Sequence, residues 1–134
     1  MPFTHEFDIP GRIAVLRAEG IVDLEASLEA IGALTTDPRL LEGYAILVDM
    51  RLADYTPSLA DARKLTDMQR HADRLKRHPL AFVTATSAHF AAASLVAMLA
   101  TLKGATAKAF QQLEESTAWL AEKQEGGAAG EAGS

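Results

Sequence analysis

Phe3, Phe7 and Ile9 alternate with Thr4, Glu6 and Asp8, the period of two expected of a half-buried strand. Pro10-Gly11 follows as a turn, and residues 12–18 form the returning strand, so the chain opens with an antiparallel hairpin. The period then changes. Leu24, Leu28, Ile31 and Leu34 share one face of a helix that opens at Asp23, a good N-cap residue, and ends before Pro38. Residues 45–48 are continuously apolar, as in a strand covered on both faces, and the run stops at Asp49. Leu59, Ala62, Leu65, Met68, Ala72 and Leu75 recur at steps of three and four, which predicts an amphipathic helix over 59–77, closed by His78-Pro79. Residues 80–84 form another buried strand. Ser87 is placed to cap a helix over 88–102, which Lys103-Gly104 closes, and a strand over 107–110 precedes a last helix over 114–122.

The order β-β-α-β-α-β-α-β-α holds three successive crossovers, which require a mostly parallel sheet. The expected fold class is therefore α/β, with an N-terminal antiparallel hairpin and about four helices. Residues 1–123 make one domain, because 134 residues suffice for one core and not for two. From 124 to 134 no apolar side chain is larger than Ala, so this stretch is expected to be a disordered Gly/Ala-rich tail.

Composition narrows the chemistry. With 49% hydrophobic and 23% charged residues the chain reads as a globular protein, and no apolar run is long enough for a membrane span. No basic region followed by an apolar run marks the N-terminus, so a cytoplasmic location is expected. The absence of cysteine removes thiolate nucleophiles and Cys-based metal sites, leaving oxygen and imidazole for any chemistry. A net charge of −5 argues against nucleic-acid binding. The segment 61–77 is nonetheless locally basic, with Arg63, Lys64, Arg70, Arg74, Lys76 and Arg77 against three Asp, and could touch an acidic partner or an anionic membrane surface. Asp67, His71 and His78 fall on one face of that helix. Surrounding Lys and Arg would repel a cation there, so no metal and no cofactor are expected.

Three features carry a resemblance: the hairpin, the strand Ala45-Ile-Leu-Val-Asp49, and the segment Lys108-Ala-Phe-Gln-Gln-Leu-Glu-Glu-Ser-Thr-Ala-Trp-Leu120, a strand leading through an acidic turn into a Trp-bearing helix. Together, over residues 3 to 122, they resemble the small bacterial SpoIIAA-like domains, anti-anti-sigma-factor-like members of the STAS group associated with Sec14-like lipid-binding proteins. The resemblance implies a non-enzymatic regulatory or binding module. It also implies a switch serine at the start of the helix after the Asp49 strand, a position that Ser58 occupies, as a possible phosphorylation site. Pro57 stands where the family has an acid, and Leu59-Ala60 where it has a small residue and Gly. Read from the residues alone, Ser58 with Asp61 is a helix N-cap.

In open α/β sheets ligands settle beyond the carboxyl ends of the parallel strands. Segments 49–58, 84–89 and 111–115 converge there, and Asp49, Arg51, Ser58, Ser87 and His89 are the candidate ligand- or partner-binding residues. Ser87 and His89 also suggest a small hydrolase, but residues two apart at a helix start point in different directions, so no catalytic residue is assigned. The helix over 88–102 is apolar nearly all round. Leu95, Met98, Leu99 and Leu102 therefore form either a homodimer face or the wall of a cavity for an apolar, lipid-like ligand. Phe110 and Trp119 are expected to pin the last helix to the sheet.

Overall fold

The computed structural model describes residues 2–67 and 76–133, with side chains through Glu125. The hairpin consists of β1 (Phe3–Asp8) and β2 (Ile13–Ile21), with Phe3 opposite Ala18 and Asp8 opposite Ile13. Its turn needs one residue in the left-handed region. Arg12 takes that place, at φ 53°, and donates its N–H to Ile9 O at 3.2 Å.

After β2 come α1 (Leu24–Thr35), β3 (Ala45–Asp54), α2 (Leu59–Asp67), β4 (Leu80–Val83), α3 (Ser87–Leu102), β5 (Ala107–Phe110) and α4 (Leu113–Gly133). The strands lie side by side in chain order, β1-β2-β3-β4-β5. β1 is antiparallel to β2 and every other pair is parallel. This is the α/β fold that the periodicities predict. Asp23 caps α1 as expected, its Oδ1 accepting the Ala26 N–H at 2.8 Å. The expected helix over 59–77 is described as far as Asp67. Its continuation over 68–75, which includes Arg70, His71 and Arg74, lies outside the described residues.

Strand alternation sorts the core into two halves. Ala14, Leu16, Ile46, Val48 and Leu80 point to the front of the sheet and pack with Ala30 and Leu34 of α1. Ala45, Leu47, Ala81, Val83 and Phe110 point to the back and pack with Leu120 and Trp119 of α4. Helices α2 and α3 join α1 on the front. On the back, among the described residues, α4 alone spans β3, β4 and β5. Phe110 and Trp119 meet at 5.7 Å between ring centroids, the pinning contact expected of them.

β2 runs past residue 18 to Ile21, and three further boundaries differ from the sequence reading. β3 does not stop at Asp49 but continues to Asp54. Arg17 faces Asp49 while Glu19 faces Leu52, so β3 carries one extra residue there, and beyond this bulge it pairs with β2 alone. That outer half is largely solvated, which is why its polar residues look like the end of a strand. The last helix begins at Leu113 and runs to Gly133, past Glu122. Gln124, assigned by composition to the tail, is part of it and donates its Nε2–H to Arg12 O at 2.8 Å and Gly43 O at 3.2 Å. The third correction is the cap of α3. The cap is Thr86, not Ser87, and Ser87 is the first residue of the helix. Among the described residues no helix is long and apolar enough to cross a membrane.

Candidate functional site

The five rim residues do not form one site, because the sheet divides them. Asp49 has the parity of Leu47 and therefore points to the back, where it is 5% exposed. Its carboxylate accepts from Arg51 Nε at 2.9 Å, from Arg51 Nη2 at 2.8 Å and from the Arg51 backbone N–H at 3.2 Å. Arg17 Nε stands 3.5 Å from Asp49 Oδ2, and Arg17 reaches Glu6 through Nη1 at 3.0 Å. The Arg51 hydrogen bonds hold the Asp49 carboxyl below its usual range although burial opposes them. A carboxylate with so many donors is a satisfied structural anchor and has little left to offer a ligand.

Ser58, Ser87 and His89 belong to the front. Ser58 Oγ accepts the Asp61 N–H at 3.0 Å, and Ser58 O accepts the Ala62 N–H at 2.8 Å, so Ser58 caps α2. Asp61 does not reach back to complete a capping box. Its carboxylate instead takes the Tyr55 hydroxyl at 3.2 Å. Burial raises the Tyr55 phenol above its ordinary range, and the Asp61 charge adds to this. At the neighbouring helix start, Thr86 Oγ1 accepts the His89 N–H at 3.1 Å, leaving Ser87 exposed in the first turn. The His89 ring is half-buried, with Nε2 3.5 Å from Asp54 Oδ1.

Between the front of the sheet and α1, α2 and α3 lies a cavity of about 140 Å³. Phe3, Leu16, Ile46, Val48, Leu80 and Phe82 form its sheet wall. Ile31 and Leu34 of α1, Leu65 of α2, and Ala93, Val96 and Ala100 of α3 form its roof. Tyr55, Pro57, Thr84 and His89 line the end at the strand carboxyl termini, and Lys76, Lys103 and Ala105 the other. Lys103 is ion-paired with Asp67.

The cavity lies beside α3, but the side chains expected to form its wall are not those that do. Leu95, Met98, Leu99 and Leu102 are absent from the lining, with Met98 53% and Leu102 77% exposed. A helix apolar all round gives no sequence signal for which side faces in. Ala92, Val96 and Ala97 are the buried ones, and the small Ala93 and Ala100 beside Val96 leave the space.

Sequence reasoning put Thr84 only at the head of a rim segment. The structure gives it a distinct position. It continues the parity of Leu80 and Phe82, so its side chain faces the cavity, while its N–H donates to Phe110 O at 3.0 Å. Thr84 is 2% exposed, and its Oγ1 has no hydrogen-bond partner among the described residues. The available signal was a polar residue at the inward parity of an apolar strand. Among the described residues no group of three His, Asp or Glu side chains could hold a metal ion, and His71 lies outside them. No protein-family model matches this chain, and no curated protein matches it.

Proposed function

We propose that this protein is a non-enzymatic binding module that takes a small apolar molecule into the cavity between the sheet front and α1–α3. The observation that carries the reading is the cavity itself, about 140 Å³, whose lining among the described residues is mostly Leu, Ile, Val, Phe and Ala. Well-packed domains seldom leave a void of that size without a use, since it forgoes contacts on every wall. This reading takes up the alternative of a carrier for an apolar ligand, which fits the Sec14 association of the resemblance, in place of a regulatory module acting at the strand rim, and keeps a cytoplasmic setting. It also moves binding away from Asp49 and Arg51 to the front face. Ser58 serves as a helix cap, and Ser87 and His89 are assigned no catalytic role.

The test is native mass spectrometry of protein purified from its own host, followed by methyl-detected NMR titration with toluene. The expected results are a non-covalent adduct that disappears on denaturation and shifts at Val96 and Leu80 on titration. Absence of an adduct together with unmoved methyl signals refutes cavity binding. A second reading is favoured by the exposure of Met98 and Leu102: this outward stripe of α3 joins two copies in a homodimer. Sedimentation velocity of the wild type and of Met98→Lys tests it, the expected result being a dimer that the charge dissociates.

A further inference from the structure

We infer that the cavity takes a neutral molecule about the size of a benzene ring, carrying one hydroxyl or carbonyl group that hydrogen-bonds to Thr84 Oγ1. A phenol is the simplest member of this class. The inference rests on the cavity-binding reading above and adds the chemistry of the ligand.

Three observations lead to it. The first is the hydroxyl. A threonine offers one donor and two acceptor positions, and burying them unmet among apolar groups is unfavourable. Thr84 is 2% exposed, has no partner for Oγ1 among the described residues, and is surrounded by a lining such as Leu80, Phe82 and Val96. A ligand with one polar atom at that end answers the mismatch, whereas a purely apolar ligand leaves it in place.

The second is charge. Among the described residues the ionisable side chains of the lining already interact with others: Lys103 with Asp67, His89 with Asp54, Tyr55 with Asp61, and Lys76 also has an interaction. Both lysines stand with Ala105 at the end of the cavity away from Thr84. A carboxylate or phosphate beside Thr84 would lose its hydration with, among the described residues, only His89, itself beside Asp54, as a potential cation. That cost excludes an anion from the Thr84 end.

The third is size. A dry apolar cavity of roughly 150 Å³ accommodates benzene, so the space of about 140 Å³ here suits a single ring or a short branched chain.

Phenol and toluene differ by one hydroxyl at nearly equal shape, so their comparison on two proteins isolates the contact. Dissociation constants are measured by NMR titration for wild type, Thr84→Val and Thr84→Ser. Losing one hydrogen bond to a buried group corresponds to about a tenfold change in affinity. The expected result is that Thr84→Val weakens phenol about tenfold while toluene stays within about twofold, and that Thr84→Ser retains phenol binding. If phenol binds Thr84→Val as well as wild type, or if toluene weakens equally, the Thr84 contact is wrong although the cavity reading stands. If neither compound binds wild type, the cavity reading and this inference fall together. Should Thr84→Val not fold, the shift of the Thr84 methyl signal in wild type decides: phenol and toluene moving it alike overturns the inference.

Discussion

Replacing Thr84 with Val should make the ligand-free protein more stable, the reverse of what Thr→Val does at most buried sites. The two side chains have the same shape, so packing is unchanged and the difference is the hydroxyl. At a site 2% exposed with no partner for Oγ1, that hydroxyl loses its water and gains nothing. The cost of such a group is about 1–3 kcal/mol, and removing it should return about 1–2 kcal/mol. For a chain of this length each kcal/mol raises the melting temperature by roughly 3–5 °C. Urea denaturation followed by circular dichroism reads the change, with the m-value unchanged between proteins. Thr66→Val is the matched control. Thr66 is also buried, at 7% exposed, and lines the same cavity, but its Oγ1 donates to Ala62 O at 3.0 Å, so its loss should cost up to about 1 kcal/mol. Opposite signs for the two variants are the expected result. If Thr84→Val is instead less stable by about 0.5 kcal/mol or more, the Thr84 hydroxyl is bonded in solution, and the argument for a polar ligand atom there loses its footing.

Leu120 is fully buried against the back of the sheet, so Leu120→Ala should cost about 2–5 kcal/mol in urea denaturation; a loss below about 1 kcal/mol would mean that α4 does not hold the back core. His78 is 6% exposed with Nδ1 2.7 Å from Tyr44 O, and burial lowers its pKa below the ordinary 6.5, an effect to which Arg77 adds and which the Tyr44 hydrogen bond and Glu42 oppose. Below 6.5 the unfolded chain therefore binds a proton that the folded ring resists, so stability is complete above that pH and falls beneath it until the folded ring also protonates. Comparing urea midpoints at about pH 7.5 and about pH 5.5 should show this drop in wild type and a smaller one in His78→Asn. Ser58→Ala should cost about 1 kcal/mol by thermal denaturation and Ser58→Asp should recover most of it, because either oxygen can cap α2; equal losses would remove the cap assignment.

Much of the fold was legible because each element announces its own period. The hairpin, the Asp23 cap and the alternation of strands with helices are local, and local chemistry decided them. The bulge was not legible. Asp49, Arg51 and Asp54 interrupt an apolar run in the manner of a loop, and only the pairing of Leu52 with Glu19 shows that the strand goes on. The α3 cap was ambiguous for a simpler reason, since Thr86 and Ser87 are adjacent hydroxyl residues and either could cap. The site was less legible than the fold. The sequence placed Asp49 and His89 on the same rim, but it could not say that, among the described residues, three helices cover one side and one the other. That distribution separates the Asp49–Arg51 pair from the cavity. It also decides that Val96 rather than Met98 faces inward on a helix whose composition distinguishes neither side.

The single cover on the back has a consequence for synthesis. Ala45, Leu47, Ala81 and Val83 leave the ribosome well before Leu113, the first residue of the one helix that shields them. Until that helix emerges, a nascent sheet carries an open apolar face while its front can already be closed. The front layers can therefore form before α4 emerges, but the back must wait for it. A chain stalled within α4 would present to chaperones the same surface that the finished protein hides.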